Sequence, residues 1–205
     1  MPGGYDAIYE HLTTRLSACD FAEISGRLGL SLSGDTLAIR FLARDYVIDR
    51  QGVAAQDDAP VPVNTKNVLL YYVLSPGVGR PKNEFVPFQS LYGTLEARNA
   101  QQKAIMSDPL VRAFGQNYAL FAKAAVLLGG TCIEDAPGKH EWRFTLLPKI
   151  PFKVVFYEQD SEFPPEVQLF YDVTAPYFLE FECLAFLTGS FSTAMVNTAR
   201  SVYCD

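Results

Sequence analysis

The chain has 205 residues, 49% of them hydrophobic and 20% charged, enough apolar mass to bury a core within a single domain. A formal net charge of −6 and a pI of about 5.0 set it against non-specific binding to nucleic acid or anionic lipid, because both need a positive field. The aromatic content, 15 Phe and 11 Tyr with a single Trp at Trp142, reads first as core mass.

In chain order, Tyr5, Ile8, Leu12 and Leu16 recur at helical spacing and predict an amphipathic first helix. "DFAEISGRLG" predicts a second, with Asp20 as its cap and Gly26 or Gly29 as its end. The period then changes. Leu37, Ile39 and Phe41 alternate with Ala38, Arg40 and Leu42, and alternation resumes at Tyr46 and Ile48, so a tight hairpin is expected over 36–49. "QDDAPVPVNT" is a polar connector, and Asn64 or Thr65 is expected to cap the buried helix "KNVLLYYVLS", stopped by Pro76 and Gly77. A long loop follows, "PGVGRPKNEFVPFQSLYG". It holds G-x-G but no G-K-[ST], and it follows a helix where a phosphate loop would follow a strand. The helical middle, 65–128, resumes at Arg98, includes a start at Ser107 or Asp108 with Pro109 in the first turn, and ends at Gly129-Gly130.

Strands are expected over 131–172, as "TCIED", "HEWRFTLLP", "IPFKVVFYE" and "EVQLFYD", the last two apolar on both alternating sets. A C-terminal helix is expected over 178–200, as the helical start is over 5–29. The class is α+β: a mainly antiparallel sheet packed by helices in one compact domain.

Neither "YALFAKAAVLLGG", broken by Lys123, nor "YFLEFECLAFLTG", broken by Glu180 and Glu182, suits a membrane span, and "MPGGYDAIYE" has no signal-peptide pattern. Cys19, Cys132, Cys183 and Cys204 lie far apart and, with His11 and His140, lack the spacing of zinc or iron–sulfur ligands. The expectation is a cytoplasmic protein with reduced thiols, three of them buried and Cys204 exposed, with no metal site and no cofactor. His11 reads as a helix-face residue and His140 as a turn-flanking one, so no nucleophile–base set is complete. Arg80 with Lys82, and Lys149 with Lys153, are the only basic pairs that suggest a local patch.

"YEQDSEFPPEVQLFYD", 157–172, carries the richest chemistry. In extended backbone Glu158, Asp160 and Glu162 point to one side, and three such acids either face water or share a cation or a basic partner. A calcium loop of the helix–loop–helix kind is excluded, because its glycine is missing and Phe163 interrupts the pattern. The plainer reading is a solvated turn stiffened by Pro164-Pro165 and anchored by Phe163 packing inward. Asp172, ending the returning strand, is expected to come near Glu158.

"NVLLYYVLSPG", "FVPFQSL", "VLLGG" and the run from Leu147-Pro148 through Glu158, Asp160, Glu162, Phe163 and Pro164 to Leu169, Phe170, Asp172, Ala175 and Tyr177 resemble, in this order, the family catalogued as domain of unknown function three-seven-eight-six. The resemblance implies anaerobic microbes and, in longer members, a preceding four-cysteine domain similar to that of the corrinoid iron–sulfur protein. This chain lacks that segment. The implied role is an accessory binding module for a protein partner, an iron–sulfur or corrinoid protein, or for a small ligand. Two rivals stand beside it: an enzyme using Glu158, Asp160, Glu162 and Asp172 as acid, base or metal ligands, and a structural protein assembling as a homodimer.

Overall fold

The computed structural model describes residues 4–91 and 106–202. Helix α1 (Gly4–Ser17) buries Leu12 and Leu16, but Tyr5 and Ile8 are exposed, so its apolar face is narrower than its periodicity predicts. The side chain that completes its packing is Tyr9, whose hydroxyl accepts a hydrogen bond from Val53 N at 2.9 Å. Helix α2 (Phe21–Leu28) starts as expected: Asp20 Oδ1 accepts from Ala22 N and Glu23 N. It ends at Gly29, whose φ of 70° is the left-handed conformation that favours glycine.

Strands β1 (Ser31–Ser33), β2 (Thr36–Phe41), β3 (Arg44–Asp49) and β4 (Gly52–Ala55) form a four-stranded antiparallel meander in that order. The β2–β3 turn is made by Leu42 and Ala43, at φ 50° and 61°, a conformation that side chains of their kind rarely adopt. Arg40 steadies it by pairing with Asp45 and donating to Ala43 O. Helix α3 (Val63–Leu74) buries Val68, Leu69, Leu70, Tyr72 and Val73. Its N-cap is Pro62, not Asn64 or Thr65: a proline with φ of −57° and no N–H starts a helix without a side-chain cap.

The second sheet is five-stranded and antiparallel, in the order β5 (Phe85–Pro87), β9 (Glu166–Asp172), β8 (Ile150–Tyr157), β7 (Lys139–Leu147), β6 (Thr131–Ala136). Of the helical middle, 98–105 lies outside the described residues; α4 (Asp108–Phe114) and α5 (Tyr118–Leu127) follow. Helix α6 (Phe181–Val202) lies on the sheet, with Phe191 edge-on to Phe144 and Phe152 at 4.8 and 5.1 Å between ring centroids. Both sheets feed one apolar core, and the class is α+β, as the sequence predicts.

The thiols correct an expectation. Cys19 and Cys183 are only part-buried, Cys132 is exposed, and Cys204 is outside the described residues. No helix among the described residues is long and apolar enough to cross a membrane.

Candidate functional site

The β8–β9 connection, 158–165, is a closed turn rather than extended chain. Asp160 Oδ1 accepts from Glu162 N at 2.8 Å and Phe163 N at 2.7 Å, while Asp160 N donates to Phe163 O at 3.1 Å. Those two backbone N–H groups hold the Asp160 carboxyl below the usual aspartate range. The three acids therefore do not share one side. Asp160 serves its own turn, Glu158 turns to a histidine, and Glu162 remains exposed. Outside the turn, Gln116 Nε2 donates to Gln159 Oε1 and Pro165 lies against Gly115, so the loop is seated on the α4–α5 junction.

Phe163 does not pack inward. It is 66% exposed, because closure of the 160–163 loop places it at the tip and leaves the anchoring to Pro165 and Glu158. Beside it opens a cleft of about 540 Å³, bounded by Tyr157, Glu158, Asp160, Phe163 and Glu166.

Under the turn lies His140, which flanks the Pro137-Gly138 hairpin turn as its position suggests but is 5% exposed, on the buried face of β7. Its Nδ1 is 2.5 Å from Asp135 Oδ1 and its Nε2 2.8 Å from Glu158 Oε1. Each ring nitrogen thus faces one carboxylate oxygen at hydrogen-bond distance. The ring stacks on Tyr118, 3.4 Å between centroids and 12° from parallel. Tyr118 in turn donates to Asp135 Oδ1 and accepts from Trp142 Nε1. Burial pushes the Tyr118 phenol up to about 12, so at neutral pH it keeps its proton as donor. The chain Trp142–Tyr118–Asp135–His140–Glu158 thus runs from the core to the rim of the cleft, and a carboxylate at its end is placed to accept or deliver a proton.

Two signals in the sequence point to this cluster. His140, Trp142 and Phe144 share the buried face of β7 by their period of two. Folding β6 onto β7 about Pro137-Gly138 sets Asp135 directly opposite His140.

Asp172 does not approach Glu158. Tyr157 pairs with Glu166 and Asp172 with Phe85, which sets the two acids at opposite ends of β9, roughly 20 Å apart on an extended strand. Asp172 is fully buried and accepts from Lys82 N, Asn83 N, Thr174 N and Thr174 Oγ1. Burial raises its carboxyl, but those bonds outweigh it and the net shift is downward. No group of three or more His, Cys, Asp or Glu among the described residues is arranged to hold a metal ion.

No curated protein and no solved structure matches the chain. Residues 20–194 match the model of the family described as Domain of unknown function (DUF3786), and the chain belongs to that family.

Proposed function

We propose that the chain is an accessory binding module that docks a protein partner through the 158–166 turn. The exposed Phe163 carries this reading. A large ring held out in water on a turn fixed by Asp160, two prolines and the His140–Glu158 bond binds without the cost of ordering a loop. Glu158 and Glu166 line the cleft beside it and the exposed Glu162 precedes it in the chain, so the fitting partner carries a basic rim around an apolar socket. The family resemblance points to an iron–sulfur or corrinoid protein in that role.

The test is anoxic capture from native extract with the wild-type chain and Phe163→Ala, after matching their thermal melts. An iron- or cobalt-containing partner should be retained by the wild type and recovered at least tenfold less by the variant. Equal recovery, or no such partner, removes the reading. Sedimentation across concentrations covers the alternative occupant: a dimer that Phe163→Ala returns to monomer would make the partner a second copy.

The Asp135–His140–Glu158 chain favours one other reading, an enzyme in which Glu158 is the acid or base and His140 positions it. The four acids expected from the sequence do not assemble for it, since Asp160 and Asp172 are committed to backbone N–H groups.

A further inference from the structure

A second cleft, of about 500 Å³, lies between α2, the 76–80 loop and the β7–β8 turn. Three cations line it, Arg27, Arg80 and Lys149, against one carboxylate, Glu23. Arg27 and Glu23 are already spent on each other and on the backbone. Arg27 Nε meets Glu23 Oε1 at 2.7 Å, and its other nitrogens donate to Val73 O in the last turn of α3 and to Ser75 O and Gly77 O just beyond it. Arg80 and Lys149 have no ion-pair partner among the described residues, although the chain as a whole is acidic.

The frame around these two is rigid. Lys149 N donates to the buried Tyr72 hydroxyl at 3.0 Å, which fixes the turn that carries it. Arg27 pins the loop before Arg80, and Gly79, at φ 101°, makes the bend that only glycine adopts readily. Val78, 68% exposed, adds an apolar wall. Two cations lining one cleft whose single carboxylate is already paired with Arg27 repel each other, and an anion relieves this.

We propose that this cleft binds a soluble phosphorylated small molecule, its phosphoryl group between Arg80 and Lys149 and its apolar part against Val78. It is not a phosphate loop: the glycine-bearing chain leaves the C-terminus of α3, so side chains and not backbone N–H groups hold the anion. The volume suits a small molecule rather than a bare ion. The chain's net negative charge disfavours an anionic bilayer as the source of the phosphoryl group. One competing account exists for Lys149 alone. A Cβ on Gly29 would stand 4.0 Å from its Nζ, so the ammonium also sits at the C-terminus of α2, where a positive charge is favourable. That account leaves Arg80 unexplained.

The experiment is calorimetric titration of the full chain with pyrophosphate and with adenosine monophosphate. One saturable site is expected, weakened at least tenfold in Arg80→Gln and further in Arg80→Gln/Lys149→Gln, with thermal melts confirming that each variant is folded. Phe163→Ala should bind as the wild type does, which separates this site from the docking turn. Arg112→Gln/Arg200→Gln removes two cations elsewhere; if it weakens binding equally, the effect is net charge and the proposal falls. It falls also if neither probe saturates, or if Lys149→Gln changes only stability and the double variant binds unchanged. Co-sedimentation with phosphatidylglycerol vesicles would reassign the phosphoryl group to a lipid and overturn the soluble ligand.

Discussion

Asp160 and Asp172 both accept backbone N–H groups, one at the surface and one in the core, and burial separates their energetic weight. Asp172→Asn removes a charge and sets an amide NH₂ where an oxygen now accepts from Lys82 or Asn83. It should cost about 3 kcal/mol in urea unfolding, in the range for a broken buried charged hydrogen bond. The pH dependence follows from the lowered folded-state value. The carboxyl is more acidic folded than unfolded, so its stabilisation is complete above about pH 4 and is lost as pH falls through the folded value. Unfolding curves of Asp172→Asn should lack that part of the acid slope. For His140→Gln the stack on Tyr118 is lost and Glu158 loses its buried ring partner, so a lower melting temperature and faster amide exchange at Glu162 and Phe163 are expected. Unchanged exchange would show that the turn does not depend on His140. Residue types alone nominate the acids of the turn. What assigns each one is which backbone N–H it satisfies, and that depends on a loop closure that composition does not reveal. His140 was more legible than it looks, through the hairpin register about Pro137-Gly138.

At the scale of elements, the legible pieces are those with a clear period. The β2–β3 hairpin and β7 alternate with period two, β8 and β9 are apolar runs bounded by turns, and α2 carries a cap acid and a glycine stop. The pieces that escape are short or governed by tertiary contact. Strand β1, "SLS", is exposed throughout, and β4, "GVAA", is too small to show a pattern. Nor does periodicity say that the strands divide into two sheets, since that depends on which edges pair. The α3–β5 connection shows the same limit. "PGVGRPK" reads only as part of a long loop, yet Gly77 lies against Tyr177 O and the Phe178 ring, with Arg27 gripping the carbonyls around it. A Cβ there must displace backbone, so Gly77→Ala should destabilise by about 2 kcal/mol or more. Gly26→Ala is the contrast: it is inside α2, nothing lies within 4 Å of the added carbon, and it should stabilise by roughly 0.5–1 kcal/mol. Urea midpoints for the pair test this, and equal shifts would contradict the packing of the loop.

For the molecule as a whole, two sheets raise the question of whether they unfold separately. The first is a meander, the second a β6–β9 meander with β5 added at the β9 edge, and an antiparallel sheet with an apolar face gains its stability from what covers it. Here the covers are shared. Strand β2 lies against β7, α3 contacts β4 on one side and α6 on the other, and a single apolar cluster takes Leu37, Ile39 and Ile48 from the first sheet with Phe144, Phe152 and Phe156 from the second. Removing the first sheet takes β4 away from α3, whose apolar residues are covered nearly all round, and removing the second takes β7 away from β2. Exposing that surface costs about 25 cal/mol per Å², so a half-unfolded state is penalised on both sides of the break. Unfolding is therefore expected to be one cooperative transition. Trp142, buried in β7, reports on the second sheet by fluorescence, and amide exchange in β2 and β3 under rising urea reports on the first. The two midpoints should coincide. If the β2–β3 amides open at lower urea than the Trp142 transition, the four-stranded meander is a separate unit, and its contact with β7 contributes less than the shared core implies.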